Sequence, residues 1–228
     1  MPLLDHFRPP LSSRRHWHSS HHAWAATIAF DLNARMPEGY FAEPNVQFGI
    51  EIDVAAFEEP APIGAASGPA WTPPSPSLTI PFSIVTDSVE VLVYEAIGGP
   101  VLAGAIELVS PANKDRPAHR EAFVSKCETY LNGGLGVVVV DVVTERGGNL
   151  HGELLARLLA ADEAMNGDLY TSAYRPTPAG LDIWREPLAL GGPLPIMPLW
   201  LKGGPCLPVD LEATYGRTRR ELRMADGA

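Results

Sequence analysis

The stretch from Val89 to Val143 limits what this chain can fold into more than any other part of it. It reads as strand, turn, strand, polar loop, helix, strand: VEVLVYEAI, GGP, VLAGAIELV, SPANKDRPAH, REAFVSKCETYLN and LGVVVVDVV. Two of these strands are apolar on both faces, the pattern of strands covered on two sides by helices or other layers. A crossover helix between them returns the second strand parallel to the first if the connection is right-handed. Yet acids interrupt both. Glu107 shares a face with Val101, Ala103, Ala105 and Val109, and Asp141 shares one with Val137, Val139 and Val143. An ionised carboxylate on a buried strand is costly unless it is paired or coordinates a metal.

The flanking segments complete one domain over residues 1–228. Residues 1–14 form an irregular lead-in. From Arg15 to Arg35, Trp17, Trp24, Ile28 and Leu32 recur at helical spacing, and MPEG stops the helix at Pro37 and Gly39. Residues 40–58 give two short strands, the second with Ile50, Ile52 and Val54 on one face and Glu51, Asp53 and Phe57 on the other. Residues 59–78 are rich in Pro, Ala, Gly and Ser with almost no charge, which predicts a linker or insertion within the domain. LTIPFSIVTD then leads into the central hairpin. Helix 117–132 turns Phe123, Val124, Cys127 and Leu131 inward, and Asn132-Gly133-Gly134 ends it with a left-handed cap. HGELLARLLAAD reads as a short amphipathic helix. YTSAYRP, LDIWREPLAL and LPIMPLWL read as strands at a sheet edge, because Gly and Pro split them. A final helix opens at Asp210 and carries RTRRELR (217–223) on a solvated face.

Charge narrows the function. With 17 Lys and Arg against 27 Asp and Glu, the net charge of −10 argues against a broad grip on nucleic-acid backbone, although a focused groove or an oligomer escapes that objection. No apolar run reaches the ~18 residues of a membrane-spanning helix, and the N-terminus lacks a signal-type apolar core, so the expectation is a cytoplasmic protein without membrane contact. Cys127 and Cys206 have no metal-type spacing.

Three side chains could work together. If Asp53 and Glu107 converge at adjoining strand ends with Lys126 alongside, two carboxylates and a few waters make an oxygen-rich site for Mg²⁺ or Mn²⁺. Such an ion polarises a phosphodiester and activates water, while the lysine stabilises developing negative charge. Glu90 and Asp141 are further candidate ligands. Against this stand plain readings in which Asp53 faces water and Lys126 snorkels. His18 and His22, four apart on one helix face, could share a metal, or could pack against tryptophans and cap backbone groups. No HExxH-type acid follows them.

The motifs WHSSHHAW, MPEGYFAEPNV, EIDVAAFE, ELVSPANK with a lysine-bearing helix after it, and LPLWLKGGPCLPVDLEATY resemble an uncharacterised bacterial family. That family is similar to the Uma-type endonuclease-like proteins of the PD-(D/E)XK restriction-endonuclease-like superfamily. The resemblance covers nearly the whole chain except the linker, and ELVSPANK is its most specific piece. It implies an α/β fold, a mixed sheet flanked by helices. It puts Asp53 in the place of the first acid, Glu107 in that of the second, and His21 in the N-terminal histidine pattern without a role. Where the usual motif has a lysine two residues after the second acid, this chain has Val109; Lys126, or Lys114 from the loop, would have to substitute. The implied activity is a Mg²⁺-dependent hydrolase, a nuclease acting on nucleic acid or another phosphodiester. The alternative is a nuclease-like scaffold without chemistry, an assembly module forming a homo-oligomer, with Trp71, Trp184 and Trp200 contributing apolar contacts.

Overall fold

A computed structural model describes residues 2–48, 50–58, 71–82, 101–158 and 167–224. The first central strand (89–97), its Glu90 and the GGP turn lie outside the described residues. In chain order the elements are α1 (Trp17–Asn33), β1 (Tyr40–Phe48), β2 (Ile50–Glu58), β3 (Leu78–Ile80), β4 (Val101–Leu108), α2 (Pro111–Asp115), α3 (Pro117–Asn132), β5 (Gly136–Asp141), α4 (Leu150–Arg157), β6 (Tyr170–Thr177), β7 (Gly180–Pro187), β8 (Ile196–Trp200), β9 (Cys206–Asp210) and α5 (Leu211–Glu221). The fold is mixed α/β. Among the described residues, seven strands form one sheet in the order β1-β2-β4-β5-β6-β7-β3, antiparallel except for the β4–β5 pair, and β8-β9 is a separate ribbon.

Two cores lie on the two faces of the sheet. On one, Trp24, Ile28 and Leu32 of α1 pack with Val54, Ile106, Val138, Val140 and Tyr215 of α5. On the other, Phe123, Val124, Cys127 and Leu131 of α3 and Leu150 and Leu154 of α4 pack with Ala105, Val137 and Val139. Period-2 alternation on β4 and β5 therefore feeds both layers, which is why these strands are apolar on both sides. The β8 strand adds to the first layer, so close that a Cβ on Gly136 would stand 2.0 Å from the Trp200 carbonyl oxygen.

Helix α3 occupies the residues that its apolar spacing predicts. Its end is a Schellman turn: Gly134 adopts φ 77°, Leu135 N–H reaches Tyr130 O at 3.0 Å and Gly134 N–H reaches Leu131 O at 2.9 Å. Among the described residues, no helix is long and apolar enough to cross a membrane.

Several expectations need correction. The SPANK segment is not plain loop: Ser110 and Asn113 form a capping box and Pro111 starts the helical turn α2. Strands β6 and β7 are not at the sheet edge, since β3 lies beyond β7. Their prolines sit at hairpin ends, Pro176 opposite Leu181 and Pro187 opposite Tyr170, where a missing N–H interrupts little. The 71–78 part of the expected linker runs along β7, with Trp184 Nε1 donating to Pro74 O at 2.9 Å. Trp184 is buried within this chain, so it is not available for a contact between subunits. The RTRRELR run is not wholly solvated either. Arg219 is fully buried and donates to Pro2 O at 3.0 Å, tying the N-terminal segment to α5.

Candidate functional site

The strand register brings two acids together. The antiparallel ladder between β2 and β4 ends with Val54 opposite Ile106, so Asp53 and Glu107 fall opposite each other one step further on. There the ladder gives way to side chains. Asp53 Oδ2 accepts the Leu108 backbone N–H at 2.6 Å, in the place a strand carbonyl would take. His21, buried on α1, donates its Nε2–H to the Leu108 carbonyl at 2.7 Å, and the same nitrogen lies 3.3 Å from Asp53 Oδ1. A helix from one layer and a strand acid thus fix the residue next to Glu107.

The opposite layer supplies the cation. Lys126, on α3, donates to Glu107 Oε2 at 2.6 Å. The Glu107 side chain is 2 % exposed and that of Lys126 14 %, so the pair is sheltered but reachable from the lysine side. Burial pulls the Lys126 ammonium down, but the Glu107 carboxylate, with a smaller contribution from Asp53, more than offsets it and leaves the lysine above its ordinary value. One helical turn on, Tyr130 is also buried, and its hydroxyl meets no hydrogen-bond partner among the described residues. Burial, then the Glu107 charge and lesser contributions that include Asp53, push that phenol upward, so it stays protonated as a neutral donor.

Asp141 and Lys114 form a different pair. Lys114 Nζ donates to Asp141 Oδ2 at 3.0 Å with both side chains at 0 % exposure, and makes a longer contact of 3.5 Å to the Asp168 carbonyl. Asp141 also accepts the Val143 N–H at 3.1 Å. Burial raises its carboxyl to about 6, against the pull of Lys114. The structure therefore brings Asp53, Glu107, Lys126 and His21 together, leaves Asp141 with Lys114, and says nothing of Glu90.

The spacing of four from Lys126 places Tyr130 on the same helix face, but nothing local in the sequence marks its hydroxyl as buried. The same holds for a buried polar cluster in which His151 Nδ1 lies 2.5 Å from the Tyr174 hydroxyl and His151 N–H donates to the Tyr170 hydroxyl at 2.9 Å. Nothing in an LHGELL helix signals that its histidine is buried. His18 and His22 lie outside the Asp53–Glu107 cluster, and the His16 side chain makes no cap hydrogen bond to α1.

Among the described residues, no group of three or more His, Cys, Asp or Glu side chains is arranged to hold a metal ion. The two acids that the register sets opposite each other, Asp53 and Glu107, are hard-oxygen donors with no thiolate beside them, a donor type that suits Mg²⁺ or Mn²⁺. Comparison with protein-family models, with characterised proteins and with solved structures gives no significant match for this chain.

Proposed function

We propose that Asp53, Glu107 and Lys126 form a phosphodiesterase site of the PD-(D/E)XK type, dependent on Mg²⁺ or Mn²⁺, with nucleic acid as the substrate class. The observation that carries this reading is the register: two carboxylates from neighbouring antiparallel strands lie opposite each other, with an ammonium 2.6 Å from one of them. Further support comes from the order α1, β1, β2, β3, β4, α2, α3, β5, with β4 and β5 parallel and helices on both faces, which suits a restriction-endonuclease-like sheet. Val109 is fully buried in the α3 layer, so a lysine on the strand at that position would be shut away from solvent, whereas Lys126 reaches Glu107 from the helix.

Asp53 and Glu107 would hold the ion, which when bound activates water and polarises the phosphodiester. Lys126 neutralises Glu107 and stands ready to stabilise charge on the scissile phosphate. His21, by holding Leu108 and touching Asp53, fixes the orientation of the first carboxylate. The −10 net charge confines nucleic-acid contact to a focused surface and predicts weak, salt-sensitive binding.

The test is Mn²⁺ binding by calorimetry, followed by cleavage of single- and double-stranded DNA and RNA. Wild type is expected to bind the ion and Glu107→Gln to lose it. Lys126→Met is expected to keep or tighten ion binding, because a competing cation is gone, while losing cleavage. Wild-type protein that binds neither Mn²⁺ nor Mg²⁺ would sink the proposal and leave the scaffold reading.

A further inference from the structure

Helix α1 presents a second histidine arrangement, away from Asp53 and Glu107. His18 is exposed and His22 half-buried, one turn apart on the same face. Their Nε2 atoms lie 3.0 Å apart, and their ring centroids are 4.2 Å apart at an interplanar angle of 79°. A straight N–H···N bond would separate the centroids by about one ring diameter more than the nitrogens. The observed difference is about half of that, so the two rings do not meet head to tail.

Two imidazole nitrogens one helical turn apart can both reach a single ion at about 2.05 Å. Imidazole suits late divalent transition ions, and Cu²⁺ and Ni²⁺ stand high among them in affinity for nitrogen sites.

We propose that His18 and His22 chelate a late divalent transition ion of the Ni²⁺ or Cu²⁺ type through their Nε2 atoms, with water completing the coordination. Both Nε2 lone pairs must face the ion, so each bound ring carries its remaining ring proton on Nδ1. The helix backbone holds the two ligands at fixed spacing, so the second nitrogen binds intramolecularly.

The site borders the one proposed above without sharing a ligand. His21, whose ring lies 5.6 Å from that of His22, is committed to Leu108 and Asp53. An ion bound at His22 therefore sits one residue along the chain from the histidine that steadies Asp53.

The experiment titrates the full chain with Ni²⁺ by calorimetry and with Cu²⁺ by electron paramagnetic resonance. Variants are His18→Gln, His22→Gln and, as control, His119→Gln, an exposed histidine on α3. Wild type and the control are expected to bind one equivalent here, beyond any ion taken up at Asp53 and Glu107, with Cu²⁺ showing two-nitrogen splitting. Either single variant is expected to bind about a hundredfold more weakly, and His18→Gln, on a solvent-facing side chain, retains the fold. Equal affinity in wild type and His18→Gln, or a Cu²⁺ signal unchanged in both variants, would overturn the assignment. Because Glu107→Gln leaves both histidines in place, loss of Mn²⁺ binding there and loss of Ni²⁺ binding here are read separately.

Discussion

Replacing Asp141 by Asn tests how the buried pair at the end of β5 is held. The Lys114 ammonium and the Asp141 carboxylate touch at 3.0 Å with no exposed side-chain surface. Removing one charge of a buried pair leaves the other uncompensated in a poor solvent, a loss of about 3–5 kcal/mol. Asp141→Asn should fall near the lower end, since its amide oxygen and the Asp168 carbonyl still accept from the ammonium. For a chain of this size, about 3 kcal/mol is a Tm drop of roughly 6–12 °C. Lys114→Met should cost less, about 1–2 kcal/mol near pH 7. Burial already raises the Asp141 carboxyl to about 6, and losing the ammonium raises it further, so the acid escapes by taking up a proton. Its cost should therefore grow with pH, whereas that of Asp141→Asn should not. Replacing both, Lys114→Met with Asp141→Leu, exchanges two desolvated charges for apolar contact and should return to within about 1 kcal/mol of wild type. Urea unfolding followed by tryptophan fluorescence and circular dichroism, at pH 6 and pH 8, measures all four proteins. An Asp141→Asn protein within about 0.5 kcal/mol of wild type, or a Lys114→Met protein that is the less stable of the two single variants, would refute this account of the pair.

Two other measurements bear on the packing and its pH response. Gly136→Ala would place a Cβ 2.0 Å from the Trp200 carbonyl; β8 must then move away from the sheet, and a loss of about 2–3 kcal/mol is expected in the same urea assay, with no loss counting against the close approach. His6 and His151 are both driven from 6.5 to about 4, chiefly by burial and then by Arg219 and Arg185 respectively. The folded protein thus binds fewer protons there than the unfolded chain, and up to about 3 kcal/mol per histidine is lost as pH falls from 6.5 to 4. Asp141, whose carboxyl rises from 3.8 to about 6, works in the opposite sense over that interval. The two histidines thus weaken the fold on acidification by more than Asp141 restores, and His6→Gln should flatten that part of the fall; an unchanged slope would refute the assignment to His6.

Periodicity made the elements legible because α3, β4 and β5 are long and apolar where they must be. The turn α2 was harder to see, since its cap depends on Ser110 and Asn113 rather than the commoner Glu or Gln three residues on. Read from sequence alone, Pro176 and Pro187 point to edge strands, but their effect depends on where along the ladder they fall. The buried state of Arg219 and His151 is set by partners more than 20 residues away or in another layer, and no local pattern encodes that. Asp53 and Glu107 are legible as acids on strands. What the sequence could not supply was the pairing register, and a slip of one residue would have turned Asp53 to the other face.

The burial of Glu107 and Asp141 on apolar strands has one physical resolution. Both acids lie on the parallel strands β4 and β5, and the connection between those strands, α2 and α3, contains both lysines that meet them. A crossover must lie over the strands it joins, so a lysine within it is brought to their acids by topology rather than by local sequence. The two pairs then part company by depth. Lys114 and Asp141 are sealed, where an ion pair can only hold the α2 turn against β5. Lys126 keeps 14 % of its side chain in solvent beside a second carboxylate that is itself 12 % exposed. Chemistry needs access as well as charge, so of two similar lysine–acid pairs built by the same connection, the one at Glu107 is where a ligand could arrive.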